Sequence, residues 1–476
     1  MTDLRMISTG ERIKQVSKQQ VFRNQIGEGE ICIPLPSGER LGEGCPAMWV
    51  RHSPNPCLKG RGIIAALLCS LVAFLLNAQV EAAENWTRFR GPNGTGIASD
   101  VSFPATWSEN DYAWKIKLPG KGHSSPVGWG EKLFITSGDV ETGDITLHCL
   151  NAESGTEIWK QTFAGGTYSL HAGNTYASST PAIDEKLVYF TWSTGGHMHC
   201  AALTHDGDDA WNTELGDFAG PHGFGASPMV VDGVVCMQVD QGESGELVGL
   251  DAPSGSFKWR VPRSAGKASY ATPCMLPRKE QGPTVVVSQS MEGGLQLIDL
   301  QSGDIVWENA EAFPARCVSS PVLMGTTLVS ICGGGGRGKL LLGYDVSDSV
   351  QQPMEKLSLK KQLPYVPTPV KVGEQLLLWG DSGVVSMLDL SSETPPKKAA
   401  WRERIGGKYF GSPILAGDKV YCMSMEGRAV VLAASNEYQL LGDNDLGEPS
   451  NATPAVHQGR LYLRTESTLA CLEQKK

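Results

Sequence analysis

The chain has 476 residues, a formal charge of −10 and only 19% charged residues. Removing residues 1–83 leaves 32 Lys and Arg against 44 Asp and Glu, so there is no basic excess of the kind a nucleic-acid partner requires. Fifty-six glycines and 28 prolines suit a turn-dense β protein, and one large ring can absorb the length without a second domain.

The N-terminal region separates into three parts. Residues 1–47 are polar, rich in Gly and Pro and without periodicity, so they read as a disordered leader upstream of a true start at Met48. Residues 48–83 read as a secretory signal peptide. Lys59 and Arg61 precede the apolar core IIAALLCSLVAFLL, and small residues follow up to Ala82-Ala83. That core is short for a membrane span, which leaves an uncleaved anchor as the alternative. Cys69 follows Leu67 and Leu68 and does not look like a lipid-bearing cysteine. Residues 84–111 form an N-terminal extension, and 112–476 a single repeat domain.

Within that domain a small residue and a proline open an apolar run eight times. The prolines are Pro126, Pro181, Pro228, Pro273, Pro321, Pro369, Pro413 and Pro454, spaced 41 to 55 residues apart. A period of this length, filled with short apolar runs and turn residues, specifies a propeller or solenoid. Each unit predicts four strands. Proline tolerates the first strand position, a Gly/Asp turn follows, and the second run is strongly apolar, as in LVYFTWS from Leu187. The third-to-fourth passage reads CLNAESGTEIW, GLDAPSGSFKW and LIDLQSGDIVW, with AALTHDGDDAW as a looser copy. Runs of four to six apolar residues between turn clusters predict buried strands rather than helices. The fold class is therefore all-β: an eight-bladed β-propeller of four-stranded antiparallel blades.

The eighth unit ends at Leu472 without a tryptophan strand, and residues 112–118 carry one. Pairing the two predicts an N-terminal strand that completes the last blade and removes exposed edges. Trp114, Trp159, Trp211, Trp259, Trp307 and Trp401 are expected to pack between blades. The fifth and seventh units lack that tryptophan, which predicts weaker or differently packed seams. The eight cysteines after residue 84 are scattered singly. Cys149, Cys200 and Cys471, and likewise Cys236 and Cys422, are expected at equivalent buried positions, where free cysteine acts as a small hydrophobe.

The D-x-x-S-G-x-x-x-W cassette with its S-S-P or A-T-P opening resembles the pyrroloquinoline-quinone-like (PQQ-like) β-propeller repeat family, BamB-like and quinoprotein-like members included. The resemblance covers about residues 112–474. The segments WTRFRGP from Trp86 and HAGNTYASSTP from His171 look like the secreted or periplasmic propellers of planctomycete bacteria. The quinoprotein side of the resemblance implies calcium held by carboxylate and amide oxygens, an aspartate base, a tryptophan stacked on the quinone and adjacent cysteines. This chain has no Cys-Cys dipeptide and no evident Glu/Asn/Asp constellation in its opening loops.

The loops that lead into each first strand converge on one face. Three residues before each proline stand His123, Ser178, Gly225, Tyr270, Val318, Val366, Phe410 and Asn451, with Arg316, Tyr365, Lys408 and Tyr409 nearby. His123, His171, Asn174, Tyr176, His222 and Tyr270 are the expected ligand-binding residues of the channel mouth, where aromatic faces and hydrogen-bonding groups can hold a small ligand or peptide. His197-x-His199 offers two imidazoles on one side of a strand as candidate metal ligands, although His199 aligns with His148 as a repeated packing position. The run Gly333 to Gly336 precedes a strand rather than a helix and reads as a hairpin, not a phosphate cradle. Lys397, Lys398, Arg402 and Arg404 read as a solvated outer edge.

These features predict an exported, non-catalytic propeller, periplasmic or secreted. It would bind a protein partner or small ligand in the cell envelope, without cofactor and without nucleic acid. The alternative is a PQQ- and calcium-dependent alcohol or sugar dehydrogenase of the same fold.

Overall fold

The computed structural model describes residues 85–474 except 221, 243, 265, 278–281, 292 and 391–398; the leader and signal-peptide readings fall outside these residues. Strands dominate, with two single-turn 3₁₀ helices at Pro92–Gly94 and Glu109–Asp111. They form eight sheets, seven of four strands and one of five. Blade 1 comprises Val127–Trp129, Lys132–Gly138, Ile145–Asn151 and Glu157–Phe163, and every later blade repeats this antiparallel meander. Blade 8 holds Ala455–His457, Arg460–Arg464 and Thr468–Glu473, and its outer strand is Tyr112–Lys117, antiparallel to Thr468–Glu473.

Apolar residues of the second and third strands are buried on both faces because each blade is covered by two neighbours. The result is eight apolar clusters among the described residues, one at each seam. The cassette tryptophan bridges the seam. Indole Nε1 of Trp114, Trp159, Trp211 and Trp259 donates to the backbone oxygen of Ala152, His205, Ala252 and Leu300 of the following blade, at 3.3, 3.0, 2.8 and 2.7 Å. The ring rests on the glycine of the next S-G or D-G turn: a Cβ on Gly155, Gly255 or Gly303 would lie 2.5–2.7 Å from it. One cassette thus holds both halves of the joint, the glycine for the blade behind and the tryptophan for the blade ahead.

At seven seams the residue before the proline forms a second joint nearer the axis. The amide of Ser125 donates to the Thr180 hydroxyl at 2.9 Å, Thr180 to Ser227 at 3.0 Å, and Thr272 to Ser320 at 2.9 Å. Ser320 donates to Thr368 at 2.9 Å, Thr368 to Ser412 at 3.0 Å and Ser412 to Thr453 at 3.0 Å. Between blades 8 and 1, Ser125 Oγ donates to the Thr453 carbonyl at 2.8 Å. These buried hydroxyls satisfy amides that the innermost strands cannot pair within their own sheets.

Two blades depart from the cassette, each in its own way. By ladder register, Leu357 of blade 5 and Gly442 of blade 7 occupy the tryptophan position. At the seam between blades 5 and 6 the cluster contains no aromatic ring. At blade 7 the extension fills the gap: Trp86, Phe103 and Trp107 pack into the cluster between blades 7 and 8. Asn444 fastens the segment, accepting from Trp107 N at 2.9 Å and donating to Ala105 O at 2.9 Å.

The expected equivalences among cysteines and histidines are corrected by register. Cys149 and Cys471 do share a position, each opposite its tryptophan. Cys200 is opposite Thr213, two residues from the position facing Trp211. Cys236 faces Met229, whereas Tyr421 rather than Cys422 faces Ile414, so the two thiols point to opposite sides of their blades. His148 pairs with Lys160 and His199 with Glu214, which are not matching positions. The thiol and imidazole of blade 2 stand two residues earlier relative to the tryptophan register position than those of blade 1. All eight described cysteines are free and buried.

Candidate functional site at the channel mouth

The extension crosses the channel and gives it a floor. The Gly128 and Ile183 amides donate to Trp86 O and Thr87 O at 2.9 and 2.8 Å. Asn93 exchanges two hydrogen bonds with Met275, and Ile97–Ala98 runs parallel to Ile414–Ala416. Gly91 permits the sharp turn between: at φ 69°, its Cβ would meet the Trp86 ring at 2.5 Å. This crossing carries two buried guanidinium groups into the axis. Arg90 is fully buried and donates to the carbonyls of Pro413 and Pro369 at 2.7 Å and of Thr368 at 3.1 Å, besides its own turn. Arg88 donates to the Pro273 carbonyl. Burial depresses both, Arg90 to about 9 and Arg88 to about 10. The proline-headed strands expose these carbonyls inward, and arginine, with several donors in a fixed fork, can cap more than one.

Above this floor lies a cavity of about 750 Å³, with Phe89 at its base and the hydroxyl belt in its wall. His123, His171, Asn174, His222 and Tyr270 line it. The rings of His171 and His222 stack with centroids 5.3 Å apart and planes 21° apart. Asn174 Nδ2 donates to the carbonyls of His222 and Phe224 at 2.8 and 3.3 Å, and the Tyr270 hydroxyl donates to Gly223 O at 3.2 Å. These two side chains therefore hold the third opening loop in place. His123 Nε2 lies 3.4 Å from Asn451 Nδ2. Desolvation, reinforced by Arg464, drops its imidazole to about 3, so it is a neutral wall group at physiological pH.

Tyr176 is not among the lining residues. Its hydroxyl donates to Tyr168 O at 3.3 Å, its ring meets Tyr168 edge-on, and it packs against the core between blades 1 and 2. Tyr409 is likewise buried, against Trp379. The pair His197 and His199 separates. His197 Nδ1 is 3.4 Å from both Glu214 and Asp217 at the exposed edge, while His199 stacks on Trp192. Among the described residues, no three His, Cys, Asp or Glu side chains are grouped to share a metal ion.

Three cations complete the wall: Arg316, Lys267 and Lys339. The sequence reading placed Arg316 near the mouth but missed Lys267, Lys339 and Phe89. Lys267 stands three residues before Tyr270, an offset that marks it as a loop residue. Phe89 had no comparable signal. Among the described lining residues there is no carboxylate to hold calcium and no tryptophan to stack on a quinone; the donor set does not fit that cofactor. Burial pushes the Tyr270 hydroxyl up to about 12, and the described wall presents imidazole, amide, hydroxyl and cationic groups.

The family profile described as "Outer membrane protein assembly factor BamB" matches residues 106–270 and 216–439. The chain is similar to the outer membrane protein assembly factor BamB of Yersinia pestis, 23% identical over 345 residues, covering 70% of this chain and 82% of that protein. Among solved structures, BamB from Moraxella catarrhalis superposes with a TM-score of 0.56 at 14% identity, covering 76% of this chain and 97% of that one. A europium-containing methanol dehydrogenase superposes with a TM-score of 0.59 at 12% identity, covering 81% and 90%. At such identities the structural likeness speaks for the fold alone. With the repeat cassette, the eight closed blades and a profile match across most of the ring, the chain belongs to the BamB family of PQQ-like β-propellers.

Proposed function

We propose that this protein is an exported, non-catalytic propeller of the cell envelope whose channel mouth binds a small ligand or a segment of a partner protein. One observation carries the reading: a floored cavity of about 750 Å³ whose described wall combines stacked imidazoles, aromatic rings and cations without a carboxylate. A rigid ring that holds its loops by hydrogen bonds to neighbouring blades binds with little ordering cost. Membership of a family named for outer-membrane assembly supports a scaffolding role. The apolar core at residues 63–76 supports export. No described helix is long and apolar enough to cross a membrane.

The quinone-dependent dehydrogenase reading draws on the fold it shares with methanol dehydrogenase, but it needs carboxylates and a stacking tryptophan, and neither is among the described lining residues. Incubation of the purified protein with pyrroloquinoline quinone and calcium, followed by gel filtration, tests the choice. The binding-module reading expects no retained quinone absorbance and no dye reduction with alcohols or sugars. Retained cofactor with turnover overturns it.

A further inference from the structure

Two sequence features set aside above meet in space. The glycine-rich hairpin after Gly333 carries Arg337 and Lys339, and the outer strand of blade 6, Trp401–Arg404, carries Arg402 and Arg404. Between them runs the connection out of blade 5, with Lys360 and Lys361. All six cations line one groove of about 830 Å³ along the seam between blades 5 and 6. The seam beside this groove is the one whose apolar cluster contains no aromatic ring, Leu357 standing at the tryptophan register position of blade 5.

The charge in this groove is not neutralised from within. Among the described residues, none of the six cations has a carboxylate within 4.0 Å. Two acids line the groove, Asp381 and Glu403. Asp381 is committed inward, accepting from the amides of Tyr365 at 2.7 Å and Val366 at 3.2 Å. Glu403 alternates to the other side of its strand from Arg402 and Arg404 and acts on Tyr438. Arg402 and Arg404 are steadied by the carbonyls of Gln362 at 3.5 Å and Ser382 at 3.2 Å, which hold their guanidinium groups at the groove. In a chain of net charge −10, six unpaired cations gathered from three segments mark a site for a strongly anionic ligand.

We infer that the seam between blades 5 and 6 binds a multiply phosphorylated anion, with Arg337, Lys339, Lys360, Lys361, Arg402 and Arg404 meeting its phosphate groups. Arginine offers paired donors to a phosphate, and lysine a mobile point charge on a flexible stem. The groove shares Gly336 and Lys339 with the mouth cavity but otherwise uses different residues, and the inference stands whether or not the mouth binds anything.

The test titrates the full mature protein with sodium tripolyphosphate and sediments it with vesicles of phosphatidylglycerol or of phosphatidylcholine. Tripolyphosphate should bind, and binding should weaken roughly tenfold between about 50 and 200 mM salt, as expected for a few phosphate–cation contacts. The exposed triple substitution Arg337→Glu, Lys361→Glu, Arg404→Glu should weaken it by about tenfold or more. Lys117→Glu, Lys186→Glu, Lys258→Glu, with the same change in net charge, should shift it less than about threefold. Sedimentation with phosphatidylglycerol vesicles, reversed by tripolyphosphate, assigns the phosphate to a lipid headgroup; tripolyphosphate binding without vesicle binding assigns it to a soluble anion. Binding of neither probe, equal loss in both triple variants, or preference for an oligonucleotide over both probes overturns the inference.

Discussion

Gly442 has no room for a side chain because the carbonyl of Ala105 occupies the space where its Cβ would stand. Gly442 holds the register position that tryptophan fills in six other blades, and Ala105 belongs to the segment that runs in before the first blade. The extension thus replaces a missing side chain with backbone, flanked by Phe103 and Trp107. Gly442→Ala should displace this segment and cost about 1–3 kcal/mol, as overpacking does. Chemical denaturation together with limited proteolysis around residues 99–107 checks it; an unchanged midpoint and unchanged protection would remove the extension from the stability of the ring.

Arg90 should matter more. Its guanidinium caps three inward carbonyls of blades 6 and 7 and two of its own turn. Arg90→Ala leaves several buried acceptors unsatisfied and should cost about 3 kcal/mol or more. Arg90→Lys keeps a charge but not the fork, and should recover only part of the loss. Full recovery by lysine in urea melts would show that charge alone, not the geometry of the cap, holds the extension.

His123 predicts the acid limb of stability. Its folded value of about 3 lies below the ordinary 6.5 because burial, helped by Arg464, disfavours the charged ring. A depressed histidine contributes stability that is present above the unfolded value and lost as pH falls below it. From pH 6.5 towards 3, each unit should therefore cost at most about 1.4 kcal/mol from this group. His123→Gln should flatten the fall in unfolding free energy between pH 6.5 and 4; a wild-type slope in the variant would contradict the assignment.

Tyr176 and His222 should part company. The Tyr176 ring packs in the core between blades 1 and 2, so Tyr176→Ala should lower stability by about 2–4 kcal/mol with little direct effect on binding. His222 stacks on exposed His171, and His222→Ala should leave the melting temperature within a few degrees while weakening whatever the mouth holds. Equal destabilisation by both would make the imidazole pair structural.

How far the chain could be read follows from which interactions repeat. The tryptophan and glycine of the cassette recur because the same indole-to-carbonyl joint is made at successive seams. The hydroxyl before each proline recurs because the same amide needs a partner. Repetition exposed both, and with them the blades and the mouth. Interactions made once left no such trace. Arg90 reaches carbonyls 278 to 323 residues away, and Arg337, Lys360 and Arg402 come to one groove from three separate segments. Register also hides from motif matching: His199 and Cys200 share a dipeptide with His148 and Cys149 but not their ladder positions.

The central claim is that the mouth cavity is where this propeller engages its ligand or partner. Phe410 lines that cavity, and Phe257 sits exposed on the outer strand of blade 3. Replacing each in turn by p-benzoylphenylalanine in cells that export the full chain, then irradiating and analysing the purified protein by mass spectrometry, tests the claim directly. The account predicts a discrete adduct from position 410 that is lost on His222→Ala, and none from position 257. No adduct at 410, or equal labelling at both positions, would contradict it.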